Sequence, residues 1–414
     1  MPPEKLFIQQ KIYLVSNNPL LADRINALEE SATLAMSKKS REIAAQGHDV
    51  INLSVGEPDF KTPKHICDAA KKAIDDGFHA YTPVSGIPEL RTAIAEKLKR
   101  ENNLDWKAEN IIVSTGAKHS LANVIETLIN PGQEVIILAP YWVSYAEMVK
   151  ITEGKSVIVT GSFENDFKVT AEQLEAAITP KTKIIMYASP NNPTGSVYNE
   201  KELRAFAAIV AKHPGIFVLA DEIYEYINFT GEGNFSIGSI PEIKDRVITV
   251  NGFSKGFAMT GWRIGWTAAA KWIVDALDKL QGQVTSGTNS ITQKAAAIAF
   301  TNMDAPKMML DAYKRRRDLV IAKLKEVPGF KVRVPDGAFY AFPDVSYYFG
   351  KSDGKVTIHN ADELCLWLLE TAYVAVVTGN AFGAPNCIRI STAASDEKLV
   401  EAVERIKKAL TALK

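Results

Sequence analysis

The densest group of potentially reactive residues lies at positions 251–265, where a lysine follows a predicted strand and an arginine comes soon after it. Lys255 stands in a glycine-containing turn, and Arg263 follows in a Trp-Arg pair. A lysine in such a turn can be partly desolvated, and burial lowers its pKa because it disfavours the charged ammonium. The neutral amine is a nucleophile for carbonyl groups. The segment therefore predicts covalent chemistry between Lys255 and a carbonyl compound.

The same segment contains a Gly-x-Ser-x-Gly sequence at residues 252–256, which is typical of some serine hydrolases. Such a hydrolase needs an acid and then a histidine further along the chain. The one histidine after Ser254 is His359, and its neighbours indicate the loop before a helix. Lys255 and Arg263 would have no role in that enzyme. The hydrolase alternative is therefore disfavoured.

Three other polar segments begin where a predicted strand ends, at residues 114–118, 189–195 and 221–224. Ligands of open α/β sheets bind beyond the carboxyl ends of the strands. We therefore expect these segments and the lysine segment to share one crevice. Each of them alone could be an ordinary turn between a strand and a helix.

The first of these segments, Ser114-Thr115-Gly116-Ala117, precedes a predicted helix and has the form of a phosphate-binding turn. A glycine before a helix start presents backbone N–H groups and the positive end of the helix dipole to an anion. The chain has no Gly-x-Gly-x-x-Gly and no Gly-x-x-x-x-Gly-Lys-Ser/Thr sequence. These absences argue against a dinucleotide or a Walker-type nucleotide as the ligand.

A sheet must bring these segments together, and the chain alternates short β-rich runs with helical stretches in the required way. The predicted helices include 118–128, 200–212 and 271–281. The predicted strands are 111–113, 135–138, 157–160, 183–188, 217–220, 247–250 and 264–267. The fold class is therefore predicted to be α/β, with a mostly parallel, doubly wound, seven-stranded sheet in a large domain.

A different pattern near the C-terminus predicts a smaller α+β domain. Its expected elements are helices from 307 to about 325, at 361–371 and at the C-terminus, and strands at 329–334, 339–342, 374–377 and 388–391. A helix at 32–46 and a strand at 50–53 are expected to pack with it, and Thr62 is expected to cap the following helix. The predicted boundaries are 1–60 for an N-terminal arm and part of the small domain, 61–305 for the large domain and 306–414 for the small domain.

Composition excludes several classes of function. The 414 residues carry 48 basic and 48 acidic side chains, and this balance argues against nucleic acid as a partner. No apolar run approaches the length of a membrane span, and the start lacks the continuous apolar stretch of a signal peptide. Cys67, Cys365 and Cys387 are odd in number and far apart, so neither a disulfide framework nor a cysteine metal site is expected. We expect a cytoplasmic protein without membrane or metal.

Together these residues resemble the class I pyridoxal-phosphate aminotransferases of fold type I, and among them the bacterial aspartate and aspartate/prephenate aminotransferases. Residues 254–265 fit the lysine-attachment signature of that family at each defined position. Further matches cover nearly the whole chain beyond about residue 20. They are Ser31-Ala32-Thr33, residues 54–60, Tyr81-Thr82-Pro83, residues 139–145, residues 191–195, residues 221–224 and Arg389-Ile390-Ser391.

The resemblance implies that Lys255 binds pyridoxal 5′-phosphate covalently and later moves the proton between the substrate α-carbon and the cofactor. Asp221 would face the pyridine nitrogen and keep it protonated, because a nearby carboxylate raises the pKa of that nitrogen. Asn192 and Tyr224 would hydrogen-bond the ring oxygen, and Trp142 would lie against the ring. Asn192 and Trp142 would also border the substrate.

For the cofactor phosphate, the resemblance implies the backbone N–H groups of Gly116 and Ala117, the hydroxyl of Ser254 and an ion pair with Arg263. Tyr81 would reach the phosphate from a second subunit. The resemblance therefore implies a homodimer with the site at the interface between subunits.

For the substrates, which would be amino and 2-oxo acids, the resemblance implies that Arg389 binds the α-carboxylate in a bidentate way, with the Gly56 N–H assisting. Lys118 would hold a second carboxylate, with Ser31 and Thr33 assisting. The implied reaction is ping-pong transfer of the amino group of L-aspartate to 2-oxoglutarate. Because a lysine is less selective in geometry than an arginine, a preference for prephenate, aromatic or other acids stays open.

Two alternative functions differ in class from an aminotransferase. A lyase or synthase on the same fold would keep the cofactor residues but would not transaminate cleanly. A ligand-sensing regulator would need a winged-helix segment and a basic linker before about residue 30, and the printed N-terminus has no room for them. We expect an enzyme of the aminotransferase type.

Overall fold

The computed structural model describes residues 18–414. The expected N-terminal arm, over about the first 20 residues, lies almost entirely outside these described residues. Within residues 18–414, no helix has both the length and the apolar composition that crossing a membrane requires.

The described part of the chain alternates strands and helices through most of its length. The strands are β1 (Ile51–Asn52), β2 (Ile111–Ser114), β3 (Glu134–Ala139), β4 (Lys155–Thr160), β5 (Thr182–Ala188), β6 (Phe217–Asp221), β7 (Val247–Gly252), β8 (Gly265–Ala268), β9 (Tyr340–Ala341), β10 (Val374–Ala375), β11 (Val377–Thr378) and β12 (Ile388–Ser391). The α-helices are α1 (Asp23–Asn26), α2 (Ala32–Ala45), α3 (Lys64–Asp75), α4 (Pro88–Asn102), α5 (Ala117–Leu128), α6 (Ser144–Ile151), α7 (Ala171–Ala176), α8 (Glu200–Lys212), α9 (Lys271–Val284), α10 (Ser290–Ala297), α11 (Asp304–Lys325), α12 (Ala361–Thr371) and α13 (Asp396–Leu410).

Seven strands form one large sheet in the order β2-β8-β7-β6-β5-β3-β4. All neighbours are parallel except β8, which runs antiparallel to both β2 and β7. The central strands are nearly continuous apolar runs because both faces of the sheet are covered by helices. The predicted α/β fold with a mostly parallel, doubly wound, seven-stranded sheet is confirmed.

Alternate side chains of the strands enter different cores on the two faces of the sheet. Val135 and Ile137 of β3 pack in a core with residues of α5, α6 and α9. Ile136 and Leu138, from the same strand, pack in another core with residues of α7 and α8. This packing fixes the sheet between two helical layers, so the carboxyl ends of β5, β6 and β7 open at one edge.

A second unit is built around α11, α12 and α13, with the small antiparallel sheet β11-β12-β9 and the parallel pair β1-β10. Its apolar core includes Met36, Ile51 and Leu53 from the N-terminal part together with residues between positions 320 and 413. From this packing we propose the discontinuous small domain with the boundaries given above, namely 1–60 and 306–414 around a large domain at 61–305.

Two local expectations were wrong. The expected strand at 329–334 pairs only at Lys331, which forms an isolated bridge with Asp344, while the Arg333 guanidinium turns away to the Phe163 carbonyl oxygen at 2.8 Å. The N-cap residue of α3 is Pro63, and not Thr62 as expected. The Thr62 hydroxyl is engaged elsewhere, because it accepts from the Trp262 indole N–H at 2.9 Å and donates to the carbonyl oxygen of Ala258 at 2.7 Å.

Candidate active site

A cavity of about 330 Å³ lies at the carboxyl ends of β5, β6 and β7, between the large sheet and the small domain. That volume is in the range of sites for small ligands. All four polar segments that we expected to meet contribute to its wall. The expected site residues that line it are Ser31, Thr33, Gly56, Ala117, Lys118, Trp142, Asn192, Asp221, Tyr224, Ser254, Lys255, Arg263 and Arg389.

Two expected site residues do not line this cavity. Gly116 lies directly behind Arg263: its φ is +89°, and a Cβ added there would meet the Arg263 Nη2 atom at 2.5 Å. Tyr81 lies away from the cavity, and its side chain is 98% exposed. Gly116 is thus beside the site, whereas Tyr81 is not part of the site within a single chain.

Lys255 occupies the turn after β7 and points its amine into the cavity. Its Nζ donates to the carbonyl oxygen of Gly56 at 2.5 Å. Burial lowers the pKa of Lys255 to about 8; nearby Arg389 and Arg263 act in the same direction, and the carboxylates of Glu57 and Asp221 oppose it. A substantial fraction of this amine is therefore neutral near physiological pH, as a nucleophile or a base requires.

Asp221 is the last residue of β6, and its buried carboxylate accepts two hydrogen bonds. The Tyr145 hydroxyl donates to Oδ2 at 2.7 Å, and the backbone N–H of Ile223 donates to Oδ1 at 3.1 Å. Burial raises the pKa of Asp221 to about 6, while these hydrogen bonds and Lys255 limit the rise. The carboxyl group is therefore mainly ionised at neutral pH, and it can face a cationic ring nitrogen.

Replacing Tyr145 with phenylalanine removes one hydrogen bond that the ionised form of Asp221 accepts. The protonated form is then favoured, so we expect the pKa of Asp221 to rise by about one to two units, because a hydrogen bond to a charged group contributes ~1.5–3 kcal/mol. A ¹³C NMR titration of labelled aspartate in the cofactor-free protein measures this shift.

The matched control for that titration is Tyr198→Phe, which removes another buried hydroxyl whose oxygen accepts from the Val169 N–H at 2.9 Å. Tyr198 does not contact Asp221, so the titration of Asp221 should be that of the unaltered chain. The same Asp221 titration in both variants would contradict the role given to Tyr145.

Arg389 lies on β12 and is 1% exposed. Its guanidinium donates to the Ser54 carbonyl oxygen at 2.6 Å and to Asn192 Oδ1 at 2.9 Å, while its buried Nε has no hydrogen-bond partner in the described part of the chain. The rings of Tyr340 and Phe382 enclose it, with centroids at 4.6 and 4.9 Å. No carboxylate of residues 18–414 forms an ion pair with it. A buried cation without a counter-ion indicates a binding place for an anion.

A second anion-binding place lies at the start of α5. Gly116 is the N-cap of this helix, so the first N–H groups of α5 have no helical acceptor. Arg263 brings its guanidinium to the same place, held by the carbonyl oxygens of Thr260 at 3.0 Å and Thr115 at 3.4 Å. Ser254 adds a hydroxyl to this wall of the cavity. The donors suit a phosphate group.

A third cation, Lys118, faces the cavity from the first turn of α5. Its Nζ lies 4.8 Å from the centroid of the Trp142 ring, and no carboxylate in the described chain is within ion-pair distance. Burial lowers the pKa of Lys118, with a further contribution from Arg263. The hydroxyl of Thr33, which lines the same cavity, is buried and has no hydrogen-bond partner from position 18 onward. Lys118 and Thr33 are therefore available to a second acidic group.

Two aromatic residues of the site, Tyr145 and Tyr340, have no role among the sequence-based expectations. Tyr145 holds Asp221, and the hydroxyl of Tyr340 hydrogen-bonds that of Tyr224 at 2.6 Å. Tyr145 stands three residues after Trp142, within the 139–145 segment that resembles the family, so its position was a usable signal. Tyr340 lies in a buried apolar run, where an aromatic side chain is more often part of the core. No signal in the sequence distinguishes it.

The donors around the cavity fit pyridoxal 5′-phosphate. Lys255 offers an amine for its aldehyde, Asp221 a carboxylate for its ring nitrogen, and the α5 start with Arg263 a cradle for its phosphate. The side-chain oxygen of Asn192, Oδ1, already accepts from Arg389, which leaves the side-chain nitrogen Nδ2 to donate to the ring oxygen. In residues 18–414 no cluster of His, Cys, Asp or Glu could hold a metal ion.

Comparison with known proteins gives one consistent result. The family model described as aminotransferase class I and II matches residues 48–406. The chain is 47% identical to a probable aspartate/prephenate aminotransferase of Rhizobium leguminosarum bv. phaseoli over 393 residues, which cover 94% of this chain and 98% of the relative. It is also similar to two solved structures. The aspartate aminotransferase from Rhizobium meliloti is 41% identical with a TM-score of 0.92, covering 95% of this chain and 99% of that one. The enzyme from Thermus thermophilus with maleate is 41% identical with a TM-score of 0.89, covering 94% and 99%.

Proposed function

The chain belongs to the class I and II aminotransferases, and we propose that it uses pyridoxal 5′-phosphate to transfer the amino group of L-aspartate to 2-oxoglutarate, giving oxaloacetate and L-glutamate. The observation that carries this proposal is the cavity itself. Three cations that have no ion-pair partner among residues 18–414, namely Lys118, Arg263 and Arg389, surround one buried amine of lowered pKa. The phosphate of the cofactor and the two carboxylates of a dicarboxylic substrate would give each of these three cations one anionic partner.

Ten residues are proposed to hold the cofactor. Gly116, Ala117, Ser254 and Arg263 would bind the phosphate; Lys255 would bond the aldehyde carbon; and Asp221 would pair with the ring nitrogen. Asn192 and Tyr224 would donate to the ring oxygen, Trp142 would cover the ring, and Tyr81 would come from a second subunit. When bound, pyridoxal 5′-phosphate supplies a carbonyl that accepts the amino group and a ring that withdraws electrons from the substrate α-carbon.

The chemical work of the chain falls mainly on Lys255. Its amine faces the cavity, and burial lowers its pKa to about 8. The neutral form can therefore take a proton from the substrate α-carbon and deliver it to the cofactor. Asp221 stays anionic beside the ring nitrogen because Tyr145 and the Ile223 N–H stabilise its charge. When Tyr340 is the donor of the hydrogen bond between the two hydroxyls, Tyr224 keeps its own proton to donate toward the cavity.

Substrate recognition is proposed to need two cationic groups. Arg389, with the Gly56 N–H, would bind the α-carboxylate that every amino and 2-oxo acid carries. Lys118, with Ser31 and Thr33, would bind the second carboxylate of aspartate, oxaloacetate, glutamate or 2-oxoglutarate. The similar Thermus thermophilus enzyme was solved with maleate, which is also a dicarboxylate, and that supports the assignment.

We further propose a cytoplasmic homodimer. Tyr81 carries a large aromatic ring that is 98% exposed in one chain. An aromatic side chain so exposed is a candidate for burial between subunits. In a dimer it would complete the phosphate-binding place beside Arg263 and α5.

The proposal is tested by half-reactions in which purified holoenzyme is mixed with one amino donor at a time. Aspartate and glutamate should convert the cofactor to its amine form faster than alanine or phenylalanine. For Lys118→Ala we expect the rate with aspartate to fall about 10- to 100-fold, because a buried charged hydrogen bond contributes ~1.5–3 kcal/mol. The rate with alanine should change little.

The control for Lys118→Ala is Lys168→Ala, a lysine of the large domain that pairs with Glu202 away from the cavity. The Lys168→Ala variant should prefer aspartate over alanine as strongly as the unaltered chain does. A Lys118→Ala enzyme that still prefers aspartate over alanine would exclude Lys118 as the ligand of the second carboxylate. Aspartate that reacts without forming the amine form of the cofactor would instead favour a lyase or synthase.

A second candidate acceptor is prephenate. Leu34 is 64% exposed although it lines the cavity, and Val55 adds apolar surface to the same wall. A bulky apolar ring could pack there while its carboxylates reach Arg389 and Lys118. The similarity to a probable aspartate/prephenate aminotransferase supports this second candidate.

A further inference from the structure

A buried ionic cluster lies outside the cavity, between α4 and the turn after β6. The Lys97 amine forms an ion pair with the Glu225 carboxylate, and their side chains are 0% and 5% exposed. Asn102 completes the cluster: its Oδ1 accepts from Lys97 at 2.6 Å, and its Nδ2 donates to Glu225 at 3.0 Å. We call Lys97, Asn102 and Glu225 the α4 cluster. A buried ion pair so fully hydrogen-bonded fixes the geometry of its members.

The α4 cluster contacts the start of the segment that carries Lys255. Asn251, near the end of β7, donates from Nδ2 to the same Glu225 carboxylate at 2.8 Å. Its Oδ1 accepts from the Gly252 N–H at 2.6 Å, which orders the backbone at the point where the strand ends. Glu225 therefore joins the turn that follows Asp221 to the turn that precedes Lys255.

A second contact lies at the other end of that segment. The Tyr226 ring packs on Gly256 so closely that a Cβ added to Gly256 would lie 2.6 Å from Cδ2 of the ring. The Tyr226 hydroxyl donates to Glu101 of α4 at 2.7 Å, and the Lys97 amine lies 5.2 Å from the centroid of the ring. The residue after Lys255 is thus held by the same helix that holds Asn251.

We propose that the α4 cluster, acting through Asn251 and Tyr226, positions Lys255 against Asp221 and Tyr224. None of the cluster residues lines the cavity, so they are positioning residues and not catalytic ones. Asp221, at the end of β6, and Tyr224, in the turn that follows, directly precede Glu225, so one carboxylate sets the distance between the two segments that carry the reactive groups. The inference rests on the proposed function only in that Lys255 bonds the cofactor.

The test is Asn251→Ala, which cuts the contact to the lysine segment and leaves the Lys97–Glu225 pair intact. Binding of two cofactor forms to the cofactor-free chain is then measured. The aldehyde of pyridoxal 5′-phosphate bonds the Lys255 nitrogen with loss of one water, whereas pyridoxamine 5′-phosphate has no aldehyde and cannot. We expect Kd to rise about tenfold for pyridoxal 5′-phosphate, as for loss of a hydrogen bond to a charged group, and no more than about threefold for the amine form.

A merely structural role of Asn251 predicts a different result, because general damage weakens binding of both forms equally. An equal change in the two Kd values, or no change in either, would overturn the proposal. The matched control is Asn110→Ala. Asn110 also joins two segments, because its Oδ1 accepts from the Lys107 N–H and its Nδ2 donates to the Ala269 carbonyl oxygen, both at 3.1 Å. It directly precedes β2, at the end of that strand away from the cavity. Asn110→Ala should change neither Kd.

If Asn251→Ala does not fold, Tyr226→Leu gives the same measurement from the other end of the segment, with the same two outcomes. The binding experiment uses no amino donor. Its failure therefore leaves the proposed reaction standing, whereas a failed aspartate half-reaction with normal cofactor discrimination would contradict the proposed function alone.

Discussion

Replacement of Lys255 by alanine is expected to lower the rate of amino transfer by about 10⁴-fold, the upper end of the range for loss of a general base. It should also remove the pH-dependent visible absorbance of cofactor bonded to the protein. The reason is that Lys255 is the amine next to Asp221 and Tyr224, whereas Lys118, the other lysine of the cavity, lies at the start of α5 beside Trp142. Absorbance spectra of the purified variant across pH test this directly.

The lowered pKa explains why lysine serves at this position. An amine with a pKa of about 8 is neutral to roughly a tenth at pH 7, a fraction more than a hundred times that of an ordinary lysine. Lys255→Arg should therefore be as inactive as Lys255→Ala, although it keeps the positive charge, because a guanidinium stays protonated. Lys118→Ala is the spectral control and should keep the absorbance. An unchanged spectrum in Lys255→Ala would falsify the assignment of this lysine.

The fold could be predicted from the sequence because each buried parallel strand is a short apolar run between turn residues. All seven expected runs are strands of the large sheet, and the structure extends several of them by one or two residues. The extension matters at β6, which ends at Asp221 and not one residue earlier. A polar residue at the end of an apolar run suggests a turn, but pairing of Asp221 with Val250 of β7 keeps it in the sheet.

Partners far apart in the chain could not be predicted in the same way. The hydroxyls of Tyr224 and Tyr340 meet at 2.6 Å although 116 positions separate these residues, and nothing in the spacing of either indicates the other. Thr62 was wrong as a helix cap for the same reason, since its hydroxyl is used by Ala258, almost 200 positions later. Local patterns predict elements, whereas hydrogen bonds between elements depend on how the elements pack.

The net charge of zero gave no indication of how charge is placed within the fold. Lys118, Lys255, Arg263 and Arg389 come from four distant segments and face one cavity, and the nearest acidic groups are Asp221 and Glu57. The excess of positive charge in the cavity is what an anionic substrate and cofactor require. Composition averages over the chain, and therefore a neutral protein can contain a strongly cationic site.

Replacement of Arg389 by methionine or lysine is expected to lower kcat/KM about 30-fold to several thousand-fold for aspartate, because losing one partner of a buried charge pair costs ~2–5 kcal/mol. The loss should be as large for alanine and for every 2-oxo acid, since all carry the carboxylate that Arg389 is proposed to bind. Lysine should rescue little, because a point charge cannot replace the two parallel hydrogen bonds of a guanidinium. Steady-state kinetics with a set of donors and acceptors measures these values.

Arg389 and Lys118 can be separated by the ratio of rates for aspartate and alanine. An Arg389 variant should lose rate with both donors and keep the ratio, whereas Lys118→Ala should change the ratio. A changed ratio in the Arg389 variants would mean that the two carboxylate sites are assigned the wrong way round. Folding should survive Arg389→Met, because the guanidinium has no carboxylate partner in residues 18–414 and its removal leaves no acidic group unpaired. A preserved melting temperature with a lost kcat/KM would therefore place the effect of Arg389 in substrate binding and not in stability.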